Sequence, residues 1–174
     1  MKKIILFLVP FIFISCVKKI QPKVLGDEQS SSLPSQESWN SVVTFSDSGR
    51  VKAILHSDYI QTSEGSSKKN MKGNIVINLY DENGNHSSTI TSNRGTADEE
   101  TYYIEVEGNV IVTSNNGVVV KTEKMIWNQD RQIVMSETNV KITSSTEIIN
   151  GVGFESDQFL RDYKVFKVSA ISTR

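Results

Sequence analysis

Gly108-Asn109-Val110-Ile111-Val112-Thr113 is the stretch whose reading decides the fold. Asn116-Gly117 closes it, and Val118-Val119-Val120-Lys121 and Trp127-Asn128 follow. Thirty residues further on, Asn139-Val140-Lys141-Ile142-Thr143 repeats the phrase, followed by Asn150-Gly151 and Ser156-Asp157. Upstream, Gly73-Asn74-Ile75-Val76-Ile77-Asn78 matches Gly108–Thr113, and Asn83-Gly84 supplies its turn. Self-similarity at this spacing marks a stacked or rolled architecture in which each unit buries its apolar face against its neighbours.

Outward from this phrase the dominant period is two. Val51, Ala53 and Leu55 alternate with Lys52 and Ile54; Ile104 and Val106 alternate with Glu105 and Glu107. Such alternation predicts half-buried antiparallel strands. Turn signals sit between the runs: Asp47-Ser48-Gly49, Glu64-Gly65, Asn83-Gly84, Asn116-Gly117 and Asn150-Gly151. Asn-Gly predicts two-residue primed hairpin turns, whose central positions both need positive φ. Helical spacing is nearly absent. Gly153–Arg161 is ambiguous, since Phe154, Phe159 and Leu160 could form a short turn of helix. In the run after it, Tyr163, Val165 and Lys167 face one way and Lys164, Phe166 and Val168 the other. The fold class is all-β: a sandwich, a barrel or a jelly roll.

The inward face is assigned to Ile75, Ile77, Leu79, Ile104, Val106, Val110, Val112, Val140 and Ile142. Each is either core or the lining of an opened roll. Val118–Val120 and Met125–Trp127 do not keep one parity, so a bulge falls between them. Trp127 is a core anchor or lines the mouth.

The ends bound the organisation. The chain has 174 residues, enough for one domain and a leader. Lys2-Lys3 is followed by an apolar run from Ile4 to Ile14, too short to span a bilayer, which takes about 20 residues. Ser15 then precedes Cys16, the only cysteine. This pattern predicts a lipoprotein signal peptide over 1–15 and a lipid on Cys16, although Phe13 sits where such sites usually carry Leu. Two other readings are a core cysteine and a leader retained as a short anchor. Residues 16–38 form a polar, Ser- and Pro-containing linker, and 39–174 form the β domain. With one cysteine there is no internal disulfide, so stability rests on strand pairing and burial.

The charge points to no nucleic-acid partner. Binding nucleic acid needs a basic face, and a net charge of −1 does not suggest one. The search for catalysis returns little. His56 and His86 have no partner at metal-ligand spacing, and Gly151-Val152-Gly153 lacks the lysine of a phosphate loop. Asp81–Asn85 lacks the closing glutamate of a calcium loop and is a hairpin tip. The expectation is a non-enzymatic protein without cofactor or metal.

The order of leader, linker, and repeated Gly-Asn-Val-x-Val, turn, strand and Trp/Tyr-Asn/Asp resembles a known family. So does the closing Ile149-Asn150-Gly151-Val152-Gly153-Phe154-Glu155-Ser156-Asp157. The chain is similar to the LptC family, the periplasmic C component of the lipopolysaccharide transport machine, over roughly 39–168. The bridge protein of the same pathway (LptA) shares the repeat. The resemblance implies a rolled antiparallel sheet, an open β-jelly-roll that holds acyl chains of lipopolysaccharide. It implies the inner-membrane transporter subunits and the bridge protein as partners. It also implies a periplasmic location, the inner membrane being favoured; the lipid expected on Cys16 departs from the better-known members, which keep an uncleaved transmembrane helix. Trp39, Val43 and Phe45 are candidates for the incoming edge, and Tyr163, Val165 and Phe166 for the outgoing one. The alternatives are a soluble bridge-type protein and an adhesive β-solenoid lipoprotein.

Overall fold

In the computed structural model, residues 34–173 are described. The leader, Cys16 and most of the linker lie outside the described residues. Nine strands follow one another: β1 (Pro34–Asp47), β2 (Arg50–Ser63), β3 (Lys68–Tyr80), β4 (His86–Asp98), β5 (Tyr103–Ser114), β6 (Val119–Asn128), β7 (Ile133–Thr143), β8 (Glu147–Asp157) and β9 (Tyr163–Thr173). They form one sheet in sequence order, every neighbouring pair antiparallel. The edges are therefore β1 and β9. β1 already pairs with β2 at Gln36–Thr62 and Ser38–Ile60, so the strand begins inside the stretch assigned to the linker. A polar edge strand has no apolar alternation to announce it, and an edge tolerates Pro34.

A row of bulges crosses the sheet at mid-height, and the repeated phrase encodes it. Lys72 faces Arg94 and Ile75 faces Ser92, so Gly73 and Asn74 together stand opposite Asn93 alone. Likewise Gly108 and Asn109 stand opposite Glu123, and Glu137 and Thr138 stand opposite Gly153. Gly73-Asn74 and Gly108-Asn109 hold φ of 75° and 37°, and 78° and 50°. Glycine and asparagine are the residues that enter this region at least cost. The bulge between Val120 and Met125 is there too, with a register shift between Thr122 and Ile126.

The row runs through β2 to β8, where it bends the strands while keeping one face buried. In β3, β5 and β7 the inward side steps by four residues across it: Met71 to Ile75, Val106 to Val110, Ser136 to Val140. In β2, β4 and β6 it steps by three: Ser57 to Ile60, Ser92 to Gly95, Thr122 to Met125. Ser57 Oγ donates to Tyr59 O at 3.0 Å, and Ser92 Oγ to Arg94 O at 3.3 Å. Thr122 Oγ1 lies 3.4 Å from Lys124 O and 2.8 Å from Asn139 O. These hydroxyls satisfy carbonyls that the interrupted ladder leaves without partners.

Bent along this row, the sheet closes rim on rim. The β8–β9 connection bonds turns from the opposite rim: Ser88 Oγ donates to Gln158 O at 2.7 Å, and Gln158 Nε2 to Tyr80 O at 3.0 Å. Ser114 Oγ and Asn116 Nδ2 donate to Phe159 O at 2.6 and 3.1 Å. At the other end Phe45 of β1 meets Trp127 of β6 edge-on, 6.2 Å between ring centres. Each rim thus meets the other several strands further along. The core lies inside this fold.

Turn chemistry departs from expectation at all three Asn-Gly pairs. Both central residues have positive φ at Ser48-Gly49, with φ of 50° and 78°. Asn83-Gly84 and Asn116-Gly117 instead end three-residue loops, in which Gly84 N donates to Asp81 O at 3.1 Å and Gly117 N to Ser114 O at 3.0 Å. Asn150-Gly151 is no turn at all, because Gly151 pairs with Val140 and Val168 inside β8. That turn is Ser144–Glu147, where Ser144 Oγ accepts from Thr146 N at 3.3 Å and Glu147 N at 3.1 Å. The ambiguous Gly153–Arg161 is strand to Asp157 and then a turn.

Candidate functional site

The assigned inward residues come together in one cluster. Ile75, Ile77, Leu79, Ile104, Val106, Val110, Val112, Trp127, Val140 and Ile142 are all 3% exposed or less. They are packed side chains, and none of them lines the apolar cavity at the β1 end. Trp127 Nε1 is buried without a hydrogen-bond partner.

Free apolar space lies beside them, at the β1 end of the fold. A cavity of about 300 Å³ is lined by Val43, Phe45, Leu55, Ile60, Met71 and Ala97. Tyr102, Gln129, Asp98 and the ion-paired Lys69 and Glu99 complete the lining. Its volume is at the lower end of the range for ligand pockets, about 300–1,000 Å³. Ile60 and Met71 escaped the sequence reading because both lie past the bulge row, outside the alternating runs. The signal that locates them is the step itself: three residues from Ser57 to Ile60, four from Met71 to Ile75.

The candidate edge residues divide between two faces. Val43 and Phe45 point inward and line the cavity. Trp39 is 64% exposed and packs on Tyr59, 5.7 Å between ring centres; the Tyr59 hydroxyl bonds Glu37. On β9, Tyr163 and Val165 pack against the core, Tyr163 with its ring centre 6.3 Å from that of Phe154. Burial, then the Glu147 carboxylate that accepts from its hydroxyl at 3.2 Å, push the Tyr163 pKa up. Phe166 is exposed and lies over Gly153, where a Cβ would come within 2.8 Å of its ring. Val168 and Ile171, opposite the buried Gly151 and Ile149, are also exposed. The inner face therefore runs on to β9 with no layer above it.

An ion-paired cluster crosses the outer face of β4, β5 and β6. Arg94 Nε is 2.9 Å from Glu107, and Lys124 Nζ is 2.7 Å from Glu105 and 3.5 Å from Glu107. The Arg94 hydrogen bond is the main cause holding the Glu107 carboxyl below its usual range. His56 is exposed, and His86 contacts Asn115 Oδ1 at 3.1 Å and Thr89 Oγ1 at 2.9 Å. Among the described residues no three His, Cys, Asp or Glu side chains are placed to hold a metal ion.

An apolar interior, an apolar cavity at one end and two edges with no further strand among the described residues do not by themselves choose a function. A family model described as "Lipopolysaccharide-assembly, LptC-related" matches residues 4–166. The chain belongs to the LptC family. A comparison with curated proteins found no match. The LptC match runs from ahead of Cys16 through β1–β8 and into β9. LptC membership places the chain in lipopolysaccharide transport, in the periplasm and associated with the inner membrane. It also makes lipopolysaccharide and the transporter and bridge components its general partners. For an LptC-family sheet, the cavity and the free edges are the features that bear on cargo.

Proposed function

We propose that this LptC-family chain receives lipopolysaccharide from the inner-membrane transporter with acyl chain in the cavity at the β1 end. It then passes the lipid along the inner face toward β9 and the bridge protein. The observation that carries the reading is the position of the cavity. It is apolar and borders the edge strand nearest the N-terminus, while the interior beyond it is packed shut. Passage along the interior therefore requires the fold to open. Among the described residues neither β1 nor β9 has a second neighbour, so each can take a further strand by backbone hydrogen bonds. Cys16, lipidated, tethers the fold to the inner membrane by a linker.

Site-specific photo-crosslinking to lipopolysaccharide tests this. A probe at Ile60 or Met71 is expected to capture lipid without transporter activity. A probe at Val112 or Ile142 is expected to capture it only during active transport. Adducts from no inward position would overturn the reading. Mass spectrometry of the mature N-terminus separates the tethered reading from a bridge-type one: the tethered protein begins at a diacylated Cys16, the bridge-type protein at an unmodified residue.

A further inference from the structure

Where the rims meet, the apolar cavity adjoins a polar one. A cavity of about 400 Å³ is lined by Ser46, Asp47, Lys52, Asp130 and Gln132, and it shares Phe45, Tyr102 and Gln129 with the first. One compartment thus offers hydrocarbon and the next offers amides, carboxylates and an ammonium. Together they have the outline of an amphiphile.

Lys52 is the unusual member. Phe45 faces Ala53 and Ser46 faces Val51, so Lys52 is the extra residue of a bulge in β2. The bulge turns it out of the ladder and under the rim, where it is 9% exposed. Among the described residues it makes no hydrogen bond and no ion pair. Asp47, in the same cavity, accepts from the Ser48 hydroxyl at 3.0 Å. An ammonium held under the rim without a partner among the described residues is placed to meet a ligand anion that enters the cavity. It is the one cation among the residues lining the polar cavity.

We propose that Lys52 receives the phosphate of a phosphorylated sugar head group whose acyl chain occupies the apolar cavity. The inference rests on the transport reading above and adds the orientation of the lipid. The ammonium has three protons to donate and takes the phosphate oxygens. Asp47 and Asp130 accept from sugar hydroxyls, and Gln129 and Gln132 both donate and accept. Asp47 and Asp130 repel a bare anion, so the site favours an anion carried on a hydroxyl-rich head over a simple anionic lipid.

Binding of lipid A to the full-length chain tests the assignment, with its dephosphorylated form and phosphatidylglycerol as comparisons. Wild type is expected to prefer phosphorylated over dephosphorylated lipid A by about tenfold, the scale of one charge-assisted hydrogen bond. Phosphatidylglycerol is expected to bind more weakly than lipid A. Lys52→Met keeps the stem and is expected to abolish the preference, while Lys52→Arg restores it. Asp47→Asn, which removes a repelling charge, is expected to tighten phosphorylated lipid A, and it tests the site even if Lys52→Met fails to fold. If wild type and Lys52→Met bind both forms of lipid A equally, Lys52 is no head-group anchor and the transport reading stands. If wild type binds neither form, both readings fall. Phosphatidylglycerol binding as tightly as lipid A overturns the sugar component.

Discussion

Ser57, Ser92 and Thr122 hold the same place in successive repeats, each bonding the carbonyl two residues ahead. Thr122 carries the most, since its hydroxyl also meets Ser136 Oγ at 3.1 Å and Thr138 Oγ1 at 2.7 Å. Thr122→Val keeps the shape and removes the donor, leaving buried oxygens unpaired. We expect a loss of about 1–3 kcal/mol in urea unfolding, with an unchanged m-value. Ser57→Ala and Ser92→Ala should each cost about 1 kcal/mol. Val140→Asp tests the packed cluster. Val140 is buried in the packed cluster rather than beside the cavity, so the charge should prevent folding before it impedes cargo. Loss of the cooperative thermal transition would show this, and normal folding of the variant would mean that Val140 can turn outward. Period-two alternation identified inward residues within the alternating runs, such as Ile75 and Val112, but not Ile60 and Met71 past the bulges. It could not show which of them border free space, because that depends on what lies across the fold.

At the scale of strands, β8 and β9 form the least covered pair. Gly151 carries their packing: a Cβ there would come within 2.5 Å of both Lys167 O and Val165 Cγ1. Gly151→Val should force β9 off β8, and hydrogen exchange should report lost protection confined to β9. Tyr163 adds a pH dependence. Its pKa is raised from the ordinary 10.0, so the folded state favours the neutral phenol. That stability is fully present below the unfolded value and is lost as pH rises through the folded one. β9 amides should therefore lose protection first in alkaline buffer, and Tyr163→Phe should remove this step. Strands were largely legible in the sequence, but turns less so. Asn150-Gly151 has the composition of a turn, yet Gly151 is in a strand because only glycine lets β9 approach so closely. The actual turn, Ser144–Glu147, depends on a hydroxyl capping two amides, a weaker signal than Asn-Gly.

For the whole molecule the informative contact is Phe45 against Trp127, because it closes the β1 end. Trp39→Phe leaves Trp127 as the only tryptophan, buried and sheltered. Its emission should be blue-shifted and poorly quenched by acrylamide without lipid. Lipid that displaces Phe45 should change that emission, and Phe45→Ala should mimic the change without lipid. An emission indifferent to both would mean that the closure is not part of loading. The repeat announced a rolled sheet. It did not announce which rim meets which, because rim contacts such as Ser88 with Gln158 span 70 residues. The polar cavity and Lys52 were hidden for the same reason: one bulge residue and two remote turns build them.

The mismatch between the rims gives the sheet a pitch, like the thread of a screw. A cylinder closed strand to strand has its circumference fixed by its strand count. A threaded sheet has not: each added hairpin advances the thread one step at constant bore. Strands supplied beyond β9 would extend the winding over Val168 and Ile171, now bare, and leave the cross-section unchanged. The length of the apolar bore is then a property of how many sheets are joined, and no single chain has to contain all of it.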